Sequence, residues 1–326
     1  MLDVGFAGEF RIVISDETGN VKKDTGYQKN LILNQGLDFL GGNKGSIINN
    51  YCVIGSGNSS PTITQTQLDA AIAITNGLSS ASDYSYVDKG DNLYRMWEEK
   101  RYRFEGLQDV NISEVGLASQ GNISTYWLTT RALIKDSLGN PTAITIKAGE
   151  VLDVYYKIHK VIDLQDKTFV VNMLDGDGGS IPYNVVIRPT EVGLSDKNTV
   201  SSAISQVGKA TYAGDLFISA GVAELVPPNV TQPSESTYDL RGQGSVLSFS
   251  GYSGGSNKRR LNVNIPLAVA NRSFKRIRFG GKSFTNFFPF NARFSSVDGD
   301  LPITKTAQYT LSMAFEYSWG RFEGEL

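Results

Sequence analysis

The sequence is short of the residues on which much catalytic chemistry rests: it has one histidine and one cysteine in 326 residues. A single cysteine cannot form an intrachain disulfide framework, and one histidine with one cysteine cannot build a His/Cys zinc site. Cys52 is expected to be a buried free thiol at a strand end, the usual habitat of unpaired cysteine. An excess of one charge is lacking too: 31 Lys+Arg against 33 Asp+Glu give a net charge of −2. No bulk field therefore draws the chain to nucleic acid or to an anionic membrane. No apolar run nears the ~18 residues of a membrane-spanning helix. The opening residues Met1-Leu2-Asp3-Val4-Gly5 lack a basic and an apolar leader segment. Membrane insertion is not expected, and assembly in the cytoplasm is.

What is abundant suits strands joined by tight turns. Charged residues make up only 20% and glycine reaches 34 positions, with Ser, Thr and Asn plentiful. The clearest strand signal in the first half is the run Leu152, Val154, Tyr156 and Ile158, alternating with Asp153, Tyr155, Lys157 and His159; this period of two marks a strand with one buried face. Ser137-Leu138-Gly139-Asn140-Pro141 upstream is a turn between β-rich runs. The tail carries the same pattern, with Tyr309, Leu311, Met313, Phe315, Tyr317 and Trp319 on one parity. It is expected to cross the middle of a second domain's sheet. The fold class expected is mainly β: two β-sandwich-like domains with one or two short helices. Residues 1–178 form an N-terminal assembly or attachment module and residues 179–326 a C-terminal sandwich, divided at the glycine-rich run Asp175 to Gly179.

Residues 6–15 and Val21 form a hairpin. Leu33, Leu37 and Leu40 fall at helical spacing before Gly41-Gly42. Tyr51 to Gly55 is a strand, and Thr64 or Thr66 caps a second short helix through Leu68, Ala71 and Ile72. Ser79 to Asp91 is a polar loop, and Leu93 to Phe104 an exposed aromatic and charged strand. Thr168 to Leu174 is another strand. Glu191-Val192-Gly193-Leu194 repeats Glu114-Val115-Gly116-Leu117, too short a match to establish a duplication. Val226 to Ser236 is an extended proline-bearing loop, and Gly242 to Asn257 a long Gly/Ser-rich one.

Several of these pieces, in order, resemble modules in virion proteins of tailed bacteriophages. They are Lys29-Asn30-Leu31-Ile32-Leu33-Asn34-Gln35-Gly36-Leu37-Asp38 and Ile54-Gly55-Ser56-Gly57 running to Leu68; then Glu114-Val115-Gly116-Leu117, Leu128 to Ile134, the turn at Pro141, Ile144-Thr145-Ile146, and Gly149 to Tyr156. The resemblance covers residues 10–162. It implies a structural subunit of the tail or a tail appendage (fibre, tail tip or baseplate) that assembles as a homo-oligomer and contributes to host attachment. It implies location in the virion, partners that are copies of itself and other virion proteins, no cofactor and no enzymatic activity. Rival readings are a capsid decoration or head-fibre protein, a carbohydrate- or receptor-binding module acting on a host glycan, and a glycan hydrolase.

The residues that carry chemistry favour the non-enzymatic reading. His159 lies on the polar parity of its strand with no nucleophile motif nearby and is expected to be exposed. Gly55-Ser56-Gly57-Asn58 lacks the Lys-Ser/Thr and βαβ setting of a phosphate loop and reads as a turn. Asp175 to Gly179 begins like a calcium loop, but the twelfth position is Val186 where a bidentate Glu is required. A glycosidase needs two carboxylates about 5–9.5 Å apart. Adjacent Glu98 and Glu99 point to opposite faces of a strand, and Glu105, Asp109 and Glu114 are acids near turns. The most basic region is Lys258-Arg259-Arg260, then Arg272, Lys275, Arg276, Arg278 and Lys282 among Phe274, Phe279 and Phe284. Tyr252, Arg259, Arg260, Arg276 and Arg278 are the candidate interface or ligand surface. In a chain without net positive charge they point to a subunit contact rather than to nucleic acid.

Overall fold

Period-two alternation is realised as sheet almost everywhere it occurs. The structure is a computed structural model describing residues 2–41, 48–76, 83–88, 92–175, 177–189, 216–219, 237–240, 247–279 and 290–326. Its elements are β1 (Leu2–Asp16), β2 (Val21–Asp24), β3 (Gln28–Ile32), α1 (Asn34–Leu40), β4 (Tyr51–Gly55), β5 (Ala71–Asn76), β6 (Asp83–Asp88), β7 (Leu93–Phe104), β8 (Val110–Ile112), β9 (Glu114–Asn122), β10 (Thr125–Leu128), β11 (Thr130–Leu133), β12 (Ile144–Ile146) and β13 (Glu150–Asp163). There follow β14 (Lys167–Leu174), β15 (Ser180–Pro189), β16 (Leu216–Ser219), β17 (Thr237–Asp239), β18 (Leu247–Phe249), β19 (Lys258–Ile265), β20 (Ser273–Phe274), β21 (Arg276–Phe279), β22 (Phe290–Ser296), β23 (Ile303–Thr304) and β24 (Leu311–Arg321). The protein is mainly β, with one helix among the described residues.

β1 is the spine. It pairs antiparallel with β13 from Val4↔Ile162 to Asp16↔Glu150, and β13 pairs in turn with β7 from Leu152↔Phe104 to Asp163↔Leu93. Phe6, Phe10, Ile12 and Ile14 of β1 share a buried core with Val154, Tyr156, Met96 and Tyr102. The largest sheet continues through β3, β11, β9 and β4 to β5 on one side, and through β24 and β19 to β18 on the other. A second sheet has the order β14-β15-β22-β21-β16-β17. Its apolar face meets β24 in an aromatic layer: Phe279 stacks on Phe290 at 4.4 Å, and Phe315 lies 4.7 Å from Phe279 and 5.6 Å from Phe290. This layer gives the second half a sandwich-like packing.

The tail strand buries the later part of the parity the alternation predicts, with Phe315, Tyr317 and Trp319 in the core, whereas Tyr309 lies before the strand and is exposed. Its sheet is different from the one expected. β24 runs antiparallel to β19 and parallel to β1, with Leu2↔Tyr317 through Phe6↔Arg321. It therefore belongs to the sheet of the N-terminal half, and strand pairing crosses the boundary drawn at residue 178. Alternation reports which face of a strand is buried and carries nothing about which strand lies beside it.

Three further expectations are corrected. The second helix is absent: residues 56–70 are loop and Ala71–Asn76 is strand. The amides of Asp69 and Ala70 are directed at the Glu114 carboxylate, which precludes helical bonding there. Within 79–91, residues 83–88 form β6 and pair with β7. β7 itself is enclosed rather than exposed, with Arg95, Glu98 and Glu99 buried beside Met96 and Tyr102. Charge matching against neighbouring strands allows this: Asp153 receives Arg101 at 2.9 and 2.6 Å and Arg103 at 2.9 Å twice. The Glu191 to Leu194 repeat and the loop 226–236 lie outside the described residues. Cys52 is a buried free thiol whose pKa burial pushes up.

Lys160 was not singled out by its sequence and sits fully buried, across from Phe6 on β1 and Met96 on β7. Burial pushes its ammonium pKa down to about 7, against 10.5 for a free lysine. Between those values the unfolded chain binds more protons than the folded one, so stability rises with pH across that window. The Lys160→Met variant should lose the rise. Urea midpoints at pH 7 and pH 10 test it, and an unchanged slope in the variant would remove Lys160 as its source.

Candidate functional site

The five residues proposed for a binding surface divide between two places. On β19, odd positions face inward with Leu261, Val263 and Ile265, so Arg259 is buried while Arg260 is exposed. A guanidinium NH2 of Arg259 donates to the Gly41 carbonyl at 2.9 Å, and the group lies 5.7 Å from the Tyr252 ring centre. Tyr252 does not face outward from a mobile loop. Its ring packs 5.5 Å from Trp319, and its hydroxyl donates to Asp38 Oδ1 at 2.6 Å. A Cβ at Gly41 would collide with this ring, so the glycine that ends α1 also makes room for the tyrosine. Tyr252 and Arg259 thus stitch the β18–β19 segment to α1. Arg260 lies outward opposite Glu316, which bonds Lys258 at 3.3 Å.

Arg276 and Arg278 sit elsewhere, on β21 of the second sheet. There alternation puts Ile277 and Phe279 in the core and both arginines on the opposite face. The sequence grouping of aromatics with cations is thereby undone, since Phe274 and Phe279 are core residues and cannot stack on a ligand. The structure adds what the sequence did not mark. Arg278 is directly opposite Asn291, which is opposite Arg188; Arg276 is directly opposite Arg293. Four arginines of three adjacent strands therefore share one polar face. Only strand register could have revealed this, since Arg188 and Arg293 stand alone in the sequence. Lys282 and Phe284 lie outside the described residues.

Of the acids considered for glycan chemistry, Glu98, Glu99 and Glu114 are engaged in the fold, while Glu105 and Asp109 are exposed. Glu98 and Glu99 do point to opposite faces: Glu98 Oε1 accepts from Asn49 Nδ2 at 2.8 Å, and Glu99 accepts from the Tyr27 hydroxyl. His159 is buried, not exposed, with Nε2 3.1 Å from Glu9 Oε2. That contact holds the Glu9 carboxyl below its usual range. β13 is paired on both sides, with Ala7 and Trp97 directly beside His159 and Glu9 against its ring, which is why polar parity did not predict exposure.

Glu114 lies at the centre of a buried polar network. Its side chain and that of Arg131 are both 0% exposed, and they are 2.8 Å apart. Oε1 accepts from the amides of Gly57 and Ala70 at 2.9 Å each, and Oε2 accepts Arg131 Nε at 2.9 Å. Arg131 also donates to Asp69 Oδ2 at 2.7 Å and to Ser59 Oγ at 3.2 Å. A Cβ at Gly57 would overlap Glu114 Oε1 and Asp69, and one at Gly55 would press on the same carboxylate. The glycine loop is thus a cradle for an internal carboxylate. It is a turn, as read, but a turn with a buried anion at its centre.

One surface is apolar and open. β14 is an edge strand among the described residues, and Leu174 and Val170 are 82% and 58% exposed. Beneath it a groove of about 640 Å³ is lined by Phe169, Met173, Val185, Phe294, Met313 and Phe315. Among the described residues no group of three or more His, Cys, Asp or Glu is placed to hold a metal ion, and no helix is long and apolar enough to cross a membrane. No family model, no curated protein and no solved structure matches the chain.

Proposed function

We propose that the chain is a non-enzymatic structural subunit of a tailed-phage particle, in the tail or a tail appendage, and that it works as a homo-oligomer. The ordered sequence pieces between residues 10 and 162 support the phage assignment. The observation that carries the assembly reading is the β14 edge. A strand paired on one side alone among the described residues, with exposed apolar side chains and an apolar groove beneath, is a template for strand addition. A second copy of the chain supplies such a strand under closed symmetry, covering the edge and filling the groove together.

Light scattering of the purified chain should give a mass that is an integer multiple, above one, of 35.5 kDa. Val170→Lys combined with Leu174→Lys should return it to a monomer with an unchanged far-UV spectrum. A monomer for the unaltered chain at micromolar concentration, or an oligomer indifferent to the double substitution, would defeat the assembly reading. Absence of the chain from purified particles would defeat the phage reading, and its retention on capsids stripped of tails would move it to the head.

A further inference from the structure

We infer that the polar face of the six-stranded sheet holds a site for a hydroxyl-bearing oxyanion, centred on Arg278 and Asn291. These residues are directly opposed on β21 and β22, with Arg188 next in the same row and Arg293 one row along; directly opposed side chains approach to about 5 Å at Cβ. Asn291 is 1% exposed, yet neither its Oδ1 nor its Nδ2 has a hydrogen-bond partner. The Nε atoms of Arg278 and Arg293 are buried and equally unsatisfied. Buried polar groups are nearly always bonded, so such a cluster calls for an explanation.

The charge balance points the same way. Asp166 is engaged by Arg188 through bonds of 2.5 and 2.7 Å, while Asp300 takes Lys275 at 2.7 Å and stands 4.0 Å from Arg293. Neither is bonded to Arg278. A guanidinium presents a fork of N–H donors matched to carboxylate or phosphate oxygens. Asn291 Nδ2 adds donors, whereas its Oδ1 requires one. A hydroxyl on the ligand supplies it, as in monohydrogen phosphate or a uronic acid. The side chains of Arg188 and Arg293 are 27% and 33% exposed, so the row is reachable from solvent.

The test uses the full chain at constant ionic strength. Its thermal midpoint is compared in chloride, sulfate, phosphate and glucuronate, and phosphate binding is followed directly by ³¹P line broadening with glucuronate as competitor. Phosphate or glucuronate should raise the midpoint above both chloride and sulfate. A rise in phosphate alone marks a phosphoryl ligand and in glucuronate alone a carboxylate, each in support. Arg278→Met and Asn291→Leu should each weaken binding roughly tenfold or more, while Arg260→Met leaves it unchanged. Should Arg278→Met fail to fold, Arg278→Lys keeps the charge, loses the fork and should still weaken binding. Midpoints in phosphate and glucuronate no higher than in chloride, an equal rise in sulfate, or full binding in the Arg278 and Asn291 variants would each overturn the site.

Discussion

Replacing Arg131 by methionine should lower the unfolding free energy by about 3–5 kcal/mol, the range for removing one member of a buried ion pair. The effect is large because the partner has nowhere to go. Glu114 would remain at 0% exposure with a charge that only amides from Gly57, Asp69 and Ala70 still contact. Three segments distant in sequence meet at this pair: the loop after β4, the start of β9 and the middle of β11. Its loss should therefore loosen all three together. Urea denaturation followed by tryptophan fluorescence measures it, and a change below about 1 kcal/mol, typical of an exposed pair, would show the site to be peripheral. Removing both charges with Arg131→Met and Glu114→Leu should recover part of the loss, because no uncompensated charge is then left inside.

Trp319→Ala is the second large effect, at about 3–5 kcal/mol for truncating a buried tryptophan. Trp319 packs against Tyr252 at 5.5 Å and Tyr317 at 5.9 Å, and its Nε1 donates to the Leu37 carbonyl at 2.8 Å. It thereby ties α1, the segment before β19 and β24 into one cluster. Truncation leaves a cavity among these aromatics and removes one of the two donors to the Leu37 carbonyl, the Gly41 amide being the other. The thermal midpoint of the variant should fall by several degrees or more. A midpoint within a degree of the parent would mean that the cluster collapses freely around the gap. Phe315→Ala probes the other end of the strand and, at that distance from Trp319, should add to it with little coupling.

Local pattern was legible; pairing was not. The helix at Leu33, Leu37 and Leu40, the strands β4, β13, β14 and β24, and the turn at Gly139 with its φ of +85° all follow residues that dictate their own conformation. Glu114, Gly55, Gly57 and Arg131 had each stood out within separate motifs. Nothing in one sequence announces that they form a single ion-pair cradle, because their union depends on the register of β9 with β4 and β11. The basic candidates failed for the same reason in reverse. Tyr252, Arg259, Arg260, Arg276 and Arg278 are close in sequence, and alternation along two different strands sends them to three environments. His159 and Lys160 show a further limit: a strand paired on both sides, here between Ala7 and Trp97 for the histidine and between Phe6 and Met96 for the lysine, hides polar residues that composition would place in water.

The parallel pairing of β1 with β24 has a consequence for synthesis. Once synthesised, β1 waits for a neighbour about 300 residues downstream, which at roughly 5–20 residues per second is a delay on the order of tens of seconds. During it the leading segment of β1 carries an uncovered hydrogen-bonding margin beside Val4 and Phe6. A nascent chain in that condition is a natural client for a holding chaperone, and a stalled or prematurely terminated product is a seed for aggregates.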